Sequence, residues 1–230
     1  NASVKFKFDH AAFSRTLVAR DLAGTARLSP SAITLSDIEG TLAGGRIGGD
    51  LTVRRDAQEL AASGHLQLTG ASAAALAASS TSAIGGQVTL TLSGEAAGRS
   101  LESVIGSLHG SGAIELSDAL FAGIDAAAFD AAIRAADQSG AIEGPKILAA
   151  VSAAMERGRF RVPQAGTEVT IAAGRIHLSN AVLRAPNGAA LSLEGVLDLN
   201  KAVVDAQMTF SGQPAHALIL ARPEITMAVK

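Results

Sequence analysis

The side chains able to do chemistry are few and scattered. Five histidines, His10, His65, His109, His177 and His216, are spread along the chain, and no two stand at the helical spacing of a zinc motif. His177 sits between Ile176 and Leu178, on the polar side of an alternating stretch, which reads as a solvated strand histidine. The absence of cysteine excludes disulfides, thiol catalysis and thiolate metal sites. No serine lies in a nucleophile-elbow sequence. The glycine clusters "GGRIGG" (44–49) and "GSG" (110–112) neither complete G-x-G-x-x-G nor lead from a strand into a helix, so they read as strand ends and bends. The expectation is therefore no catalytic residue, no metal and no cofactor.

One phrase is written three times: "ITLSD" at 33–37, "IELSD" at 114–118 and "IHLSN" at 176–180. Asp37, Asp118 and Asn180 recur at its last position. Gathered carboxylates would suit acid–base work or calcium. Here they lie in separate copies, none has a second carboxylate at EF-hand spacing, and the third copy carries an amide. Each phrase alternates apolar and polar residues and then stops at a residue able to form an Asx-turn, so the expectation is a strand with its terminating turn. Arginine outnumbers lysine 14 to 5. A guanidinium fork suits phosphate, but a solvated outer face with ordinary ion pairs accounts for most of these residues.

Composition narrows the class. A chain of 230 residues with 48% hydrophobic content can bury a real core. A formal net charge of −2, with neither Trp nor Tyr, offers nucleic acid no bulk attraction and little stacking surface. There is no run of about 18 uninterrupted apolar residues, and the start lacks the basic-then-apolar order of a signal peptide. Asn1-Ala2 reads as a tag remnant, and the rest as a piece of a longer protein.

The elements that would position any site are mostly strands. Period-2 alternation marks Val4, Phe6 and Phe8, then Leu66 and Leu68, then Val88, Leu90 and Leu92, and it recurs at Ile114/Leu116, Phe160/Val162, Val169/Ile171, Leu191/Leu193 and Met208/Phe210. Residues 48–70 and 195–212 each read as strand, polar turn and strand. Amphipathic helices are expected near 125–136 and 145–157, with shorter ones at 72–79 and 100–108 capped by Ser72 and Ser100. The fold expected is mainly β (α+β): a large, curved, mostly antiparallel sheet forming a groove or incomplete barrel, with a few short helices at one end or over the concave face. A dozen strands at about 4.8 Å each span on the order of 60 Å, and a sheet that wide curls. Its apolar face then becomes either a closed core or an accessible trough.

The stretch "SLESVIGSLHGSGAIELSDALFAGIDAAAF" (100–129) resembles the C-terminal signature of the AsmA-like proteins of bacterial envelopes: a short helix, an "sLsGsG" turn, an "hxLxdG" strand and an "hxGhdl" step, in that order. The later "GRIHLSNAVLRAPNGAALSLEGVLDLNKAVVDAQMTFSG" is similar to the continuation of that region. Ala119 stands where the family often has glycine, and Ala126 where it usually has leucine. The resemblance implies an inner-membrane anchor outside this piece, a periplasmic location, and a relation to bridge-like lipid transport proteins built from repeating β-grooves. It carries over no catalytic residue. On this reading residues 3–108 form the first half of a β-rich AsmA-like region, and 109–230 the second, with a helical insertion near 125–157.

Three classes of function follow from the sequence. The first is a groove that holds or conducts lipid acyl chains, with Val88, Leu90, Leu92, Ile114, Leu116, Leu191 and Leu193 as candidate lipid-facing residues. The second is a structural envelope domain whose apolar face is a closed core without ligand. The third is an enzyme with an unrecognised site. The first is favoured, because aliphatic walls without fixed polar groups suit a sliding hydrocarbon better than a specific pocket.

Overall fold

The computed structural model describes residues 2–12, 17–56, 59–77, 84–125, 128, 144–186, 188–201, 203–212 and 224–229. Twelve strands dominate it: β1 (Ala2–Ala12), β2 (Val18–Leu28), β3 (Ala32–Leu42), β4 (Gly45–Asp56), β5 (Glu59–Ser72), β6 (Ile84–Gly98), β7 (His109–Ala122), β8 (Arg159–Ala172), β9 (Arg175–Arg184), β10 (Ala190–Asp198), β11 (Val203–Ser211) and β12 (Glu224–Val229). They form one sheet in strict sequence order, each strand antiparallel to the next, with β1 and β12 at its two edges. The sheet is mainly β, curved and not closed into a barrel, as the alternation predicts. Its pairing continues through residue 109, because β6 and β7 are paired from Ile84 to Glu95 with one bulge between Gly85 and Gln87.

Short turns make this order possible. At Ala43-Gly44 and Ala173-Gly174 both residues have φ between +51° and +80°, the mirror-image geometry that matches strand twist in two-residue hairpins. At the β10–β11 turn the Asp198 carboxylate accepts the N–H groups of Asn200 and Lys201, each at 3.1 Å, an Asx-turn in the expected sense. The hairpins read at 48–70 and 195–212 are β4–β5 and β10–β11.

Three helices with described bounds accompany the sheet. Helix α1 (Ala73–Leu76) is capped by Ser72, and α2 (Leu101–Ser107) by Ser100 through a reciprocal capping box with Ser103. Helix α3 (Gly144–Arg157) matches the amphipathic segment expected at 145–157, and its Met155 packs on the core. The helix expected at 125–136 lies, apart from Asp125 and Ala128, outside the described residues. Helix α2 crosses one end of the sheet. From its C-terminal end the Leu108 carbonyl accepts the N–H of Gly174 at 3.1 Å, and the Gly174 carbonyl accepts the N–H of Leu199 at 3.0 Å. The β8–β9 and β10–β11 turns are thereby tied to α2.

The repeated phrase has a different role from the one its letters suggest. Asp37, Asp118 and Asn180 do not end strands; each lies inside one, with φ of +55°, +50° and +47°. Each falls where the register slips: between Leu35 and Ile38, between Ser117 and Leu120, and between Leu178 and Ala181. These are β-bulges, and Asp and Asn are the side-chain-bearing residues that best tolerate the left-handed backbone such a bulge requires. The chain therefore steps three residues between inward side chains: Leu35 to Ile38, Leu116 to Ala119, Leu178 to Ala181. Asp21 (φ +50°) and Gly70 do the same work in β2 and β5, and Gly86 lies opposite the Asp118 bulge. Bulges bend a strand and add twist, so these five across the sheet account for its curl without interrupting the apolar face.

The degree of curl follows from two long-range meetings. Phe160 of β8 and Phe210 of β11 pack edge-to-face with centroids 5.5 Å apart, although three strand spacings along a flat sheet are about 14 Å. Ile171 of β8 shares a cleft with Ile38 of β3, which lies about 24 Å away along a flat sheet.

Candidate functional site

Register and alternation put one set of side chains on the concave face of every strand from β2 to β11. One row reads Leu35, Leu51, Gly64, Gly94, Gly110, Ile171, Ile176, Leu197 and Val204 across β3 to β11. The next reads Gly49, Leu66, Leu92, Gly112, Val169, Leu178, Gly195 and Ala206 across β4 to β11. A third reads Gly40, Ile47, Leu68, Leu90 and Ile114, and ends at Thr167 of β8. Among the described residues Thr167 is the one polar side chain that the register places on this face between β2 and β11, and no charged one is placed there. The glycines are structural as well as space-making. A Cβ on Gly110 would run into the Ser93 carbonyl, and one on Gly112 into that of Thr91, so β6 crosses β7 too closely there for any side chain.

Burial divides this face into a closed end and an open length. At one end, beyond the bulges, two clusters are sealed. Ala19, Leu42, Ile47, Leu68 and Ala71 form the first, and Ala119, Phe160, Val162, Leu183, Leu191 and Phe210 are the heart of the second. Along the remaining length Val4, Phe8, Leu28, Ile33, Leu51, Leu66 and Val204 stay between 38% and 53% exposed. These are large apolar side chains on a single face. A few scattered exposed leucines would need no explanation, but this many large apolar side chains on one face do.

Two clefts lie in this face. The first, of about 350 Å³, is lined by Ile38, Leu51, Leu66, Leu92, Leu108 and Ile171 with Gly49, Gly64 and Gly94 as its bare floor, and it is bordered by Asp50, Ser63, His65 and Ser93, which alternate toward the other face. The second, of about 380 Å³, runs from Val88, Ile114 and Leu116 across to Leu183, Leu193 and Met208, and is closed at one end by Ala73 and Leu76 of α1. Of the seven residues selected from sequence, Val88, Ile114, Leu116, Leu191 and Leu193 line the second cleft and Leu92 the first. Leu90 packs half-buried against the Ala19–Leu68 cluster. Leu191, only 1% exposed, is core that forms the back wall of its cleft, because the Phe160–Phe210 contact folds the sheet over it. Sequence selection missed the exposed set, although Val4, Phe6 and Phe8 show the same alternation. It also missed Met208 and Thr167, whose strand partners Leu193 and Ile114 it had named.

The polar groups lie on the opposite face. His65 bonds its cross-strand partner Ser93 at 2.9 Å, and His109 approaches the Ser107 carbonyl at 3.2 Å. His177 faces outward from β9, pairing with Thr170 and Val196, while His216 lies outside the described residues. Arg20, Arg46, Arg54, Arg161 and Arg175 alternate outward, and Arg175 pairs with Asp198 at 3.3 Å. Partial burial pushes the Asp198 carboxyl up, but the Lys201 N–H, the Arg175 guanidinium and the Asn200 N–H outweigh it and hold the group below its usual value. Among the described residues no three His, Asp or Glu side chains converge on a point that could hold a metal. The chemistry available on the concave face is hydrocarbon contact. Comparison of the chain with protein-family models, with curated proteins and with solved structures finds no match.

Proposed function

We propose that this chain is a non-catalytic length of lipid-binding β-groove, belonging to an AsmA-like envelope protein, whose concave face shields acyl chains from water. The observation that carries the reading is the uncharged concave face with Val4, Phe8, Leu28, Ile33, Leu51, Leu66 and Val204 left accessible along it. Burying one CH₂ is worth about 0.8 kcal/mol, so a sixteen-carbon chain resists entering water by roughly 12 kcal/mol. A wall of similar aliphatic side chains offsets that cost at many near-equivalent positions, which lets a chain slide. The resemblance at 100–129 supports placing the parent protein at the inner membrane, held by a segment outside this chain, with this part in the periplasm and serving phospholipid transport and outer-membrane homeostasis. The partners are then lipid acyl chains, and neither nucleic acid nor a cofactor is involved.

The two sealed clusters favour a second reading, a structural envelope domain that binds nothing. One experiment separates them. The purified chain is incubated with vesicles of phosphatidylethanolamine and phosphatidylglycerol, re-isolated, and extracted for mass spectrometry. Stoichiometric phospholipid that is lost in Leu66→Asp supports the groove; a folded, lipid-free chain supports the structural domain.

A further inference from the structure

The wall of the groove is split between β8 and β9. These strands pair only from Val169 to Ala172 against Leu178 to Arg175, although β8 continues back to Arg159 and β9 on to Arg184. Every other neighbouring pair is laddered over most of its shared length. The second cleft lies in this split: Ala165, Gly166 and Thr167 form one lip, and Leu178, Ala181, Val182 and Leu183 the other. Val182 points outward, since its neighbours Ala181 and Leu183 face the core and its β10 partner is Ser192. Val182 borders this cleft where the missing ladder leaves a gap between β8 and β9.

We infer that the β8–β9 split is a side entrance that binds one unbranched acyl chain threaded through the wall, with its tail in the cleft and its polar end outside. The inference rests on the lipid-groove reading. The lining selects the occupant. Among its described side chains only Thr167 is polar and none is charged, so a carboxylate or phosphate finds no partner among them and stays at the outer lip. The size agrees. A cavity of about 150 Å³ holds the six carbons of benzene, so 380 Å³ takes about fifteen carbons, one chain and not two.

The chain has no cysteine or tryptophan, which simplifies a labelling test. Two hexadecanoic acids, one with a diazirine near the methyl end and one with it near the carboxyl end, are bound to the purified chain, photolysed and mapped by peptide mass spectrometry. The methyl-end probe is expected on the Ile114 and Met208 peptides, and the carboxyl-end probe on Gly166 and Val182. Thr167→Trp, which fills the cleft from its open side, should reduce both at least tenfold and leave labelling of the Leu66 peptide unchanged. Circular dichroism checks its fold, and the wild-type end preference stands as evidence whether or not that variant folds. Equal labelling of both lips by both probes, or labelling at Leu66 without any at the split, overturns the side entrance and leaves the groove standing. No labelling anywhere overturns the lipid reading itself.

Discussion

A single carboxylate moved along the concave face should distinguish its open length from its sealed end. Leu66 is 38% exposed on β5, and Leu191 is 1% exposed on β10. In Leu66→Asp the lost burial is somewhat over half that of a full leucine, about 1–2 kcal/mol, and the new charge remains hydrated. For a domain of this size each kcal/mol lowers Tm by about 2–4 °C, so the expected drop is roughly 2–8 °C. In Leu191→Asp the leucine itself is worth about 2–5 kcal/mol. Placing an unpaired carboxylate beside Phe160, Leu183 and Phe210 costs several more. The sum is comparable with a total stability of about 5–15 kcal/mol, so that variant should fail to fold or melt near room temperature. Calorimetry supplies both melting points, with Leu66→Met and Leu191→Met as size-matched controls. Equal losses from the two aspartates would refute the division of this face into open and sealed parts.

Four further outcomes are expected. Asp118→Ala places alanine at φ +50° and should cost about 1–2 kcal/mol by urea unfolding, whereas Asp118→Gly should be nearly neutral. Gly112→Ala forces a methyl against the Thr91 carbonyl and should cost about 1–3 kcal/mol, with a melting curve that reports it directly. Ser100→Ala removes the capping box of α2 and should cost about 1 kcal/mol in the same urea assay. The Asp198 carboxyl is held below its usual value in the folded state, so its stabilising contribution is present above the ordinary carboxylate pKa of about 3.9 and disappears as pH falls through the folded one. The difference in Tm between wild type and Asp198→Asn should therefore be constant from neutral pH down to about pH 5 and shrink in stronger acid; a difference that grows in acid would contradict the bonding at that turn.

The strands were legible because alternation is a local property. Val88, Leu90 and Leu92 announce their facing by spacing alone, as do the serine caps of α1 and α2. The bulges were half legible. The sequence displays I-x-L-S-[D/N] three times and even continues each copy with an apolar residue three positions after the leucine, yet a strand-ending turn and an in-strand bulge use the same Asp and Asn chemistry. Only the facing of Ile38, Ala119 and Ala181 decides between them, and that depends on the partner strand. Leu191 and Leu193 illustrate the other limit. Their alternation marks a common face, but whether that face is sealed depends on Phe160, some thirty residues earlier, folding across to Phe210.

The nearest-neighbour order of the sheet has an evolutionary and mechanical consequence. Every strand pairs with its immediate predecessor and successor, so no pairing depends on a strand that arrives much later in synthesis, and hairpins can add one at a time as the chain emerges. For the same reason a hairpin gained or lost would change the length of the wall by about 10 Å without re-pairing the strands on either side. Span and cross-section are thus inherited separately: the number of hairpins sets how far the wall reaches, while the bulges and floor glycines within each strand set how tightly it curls.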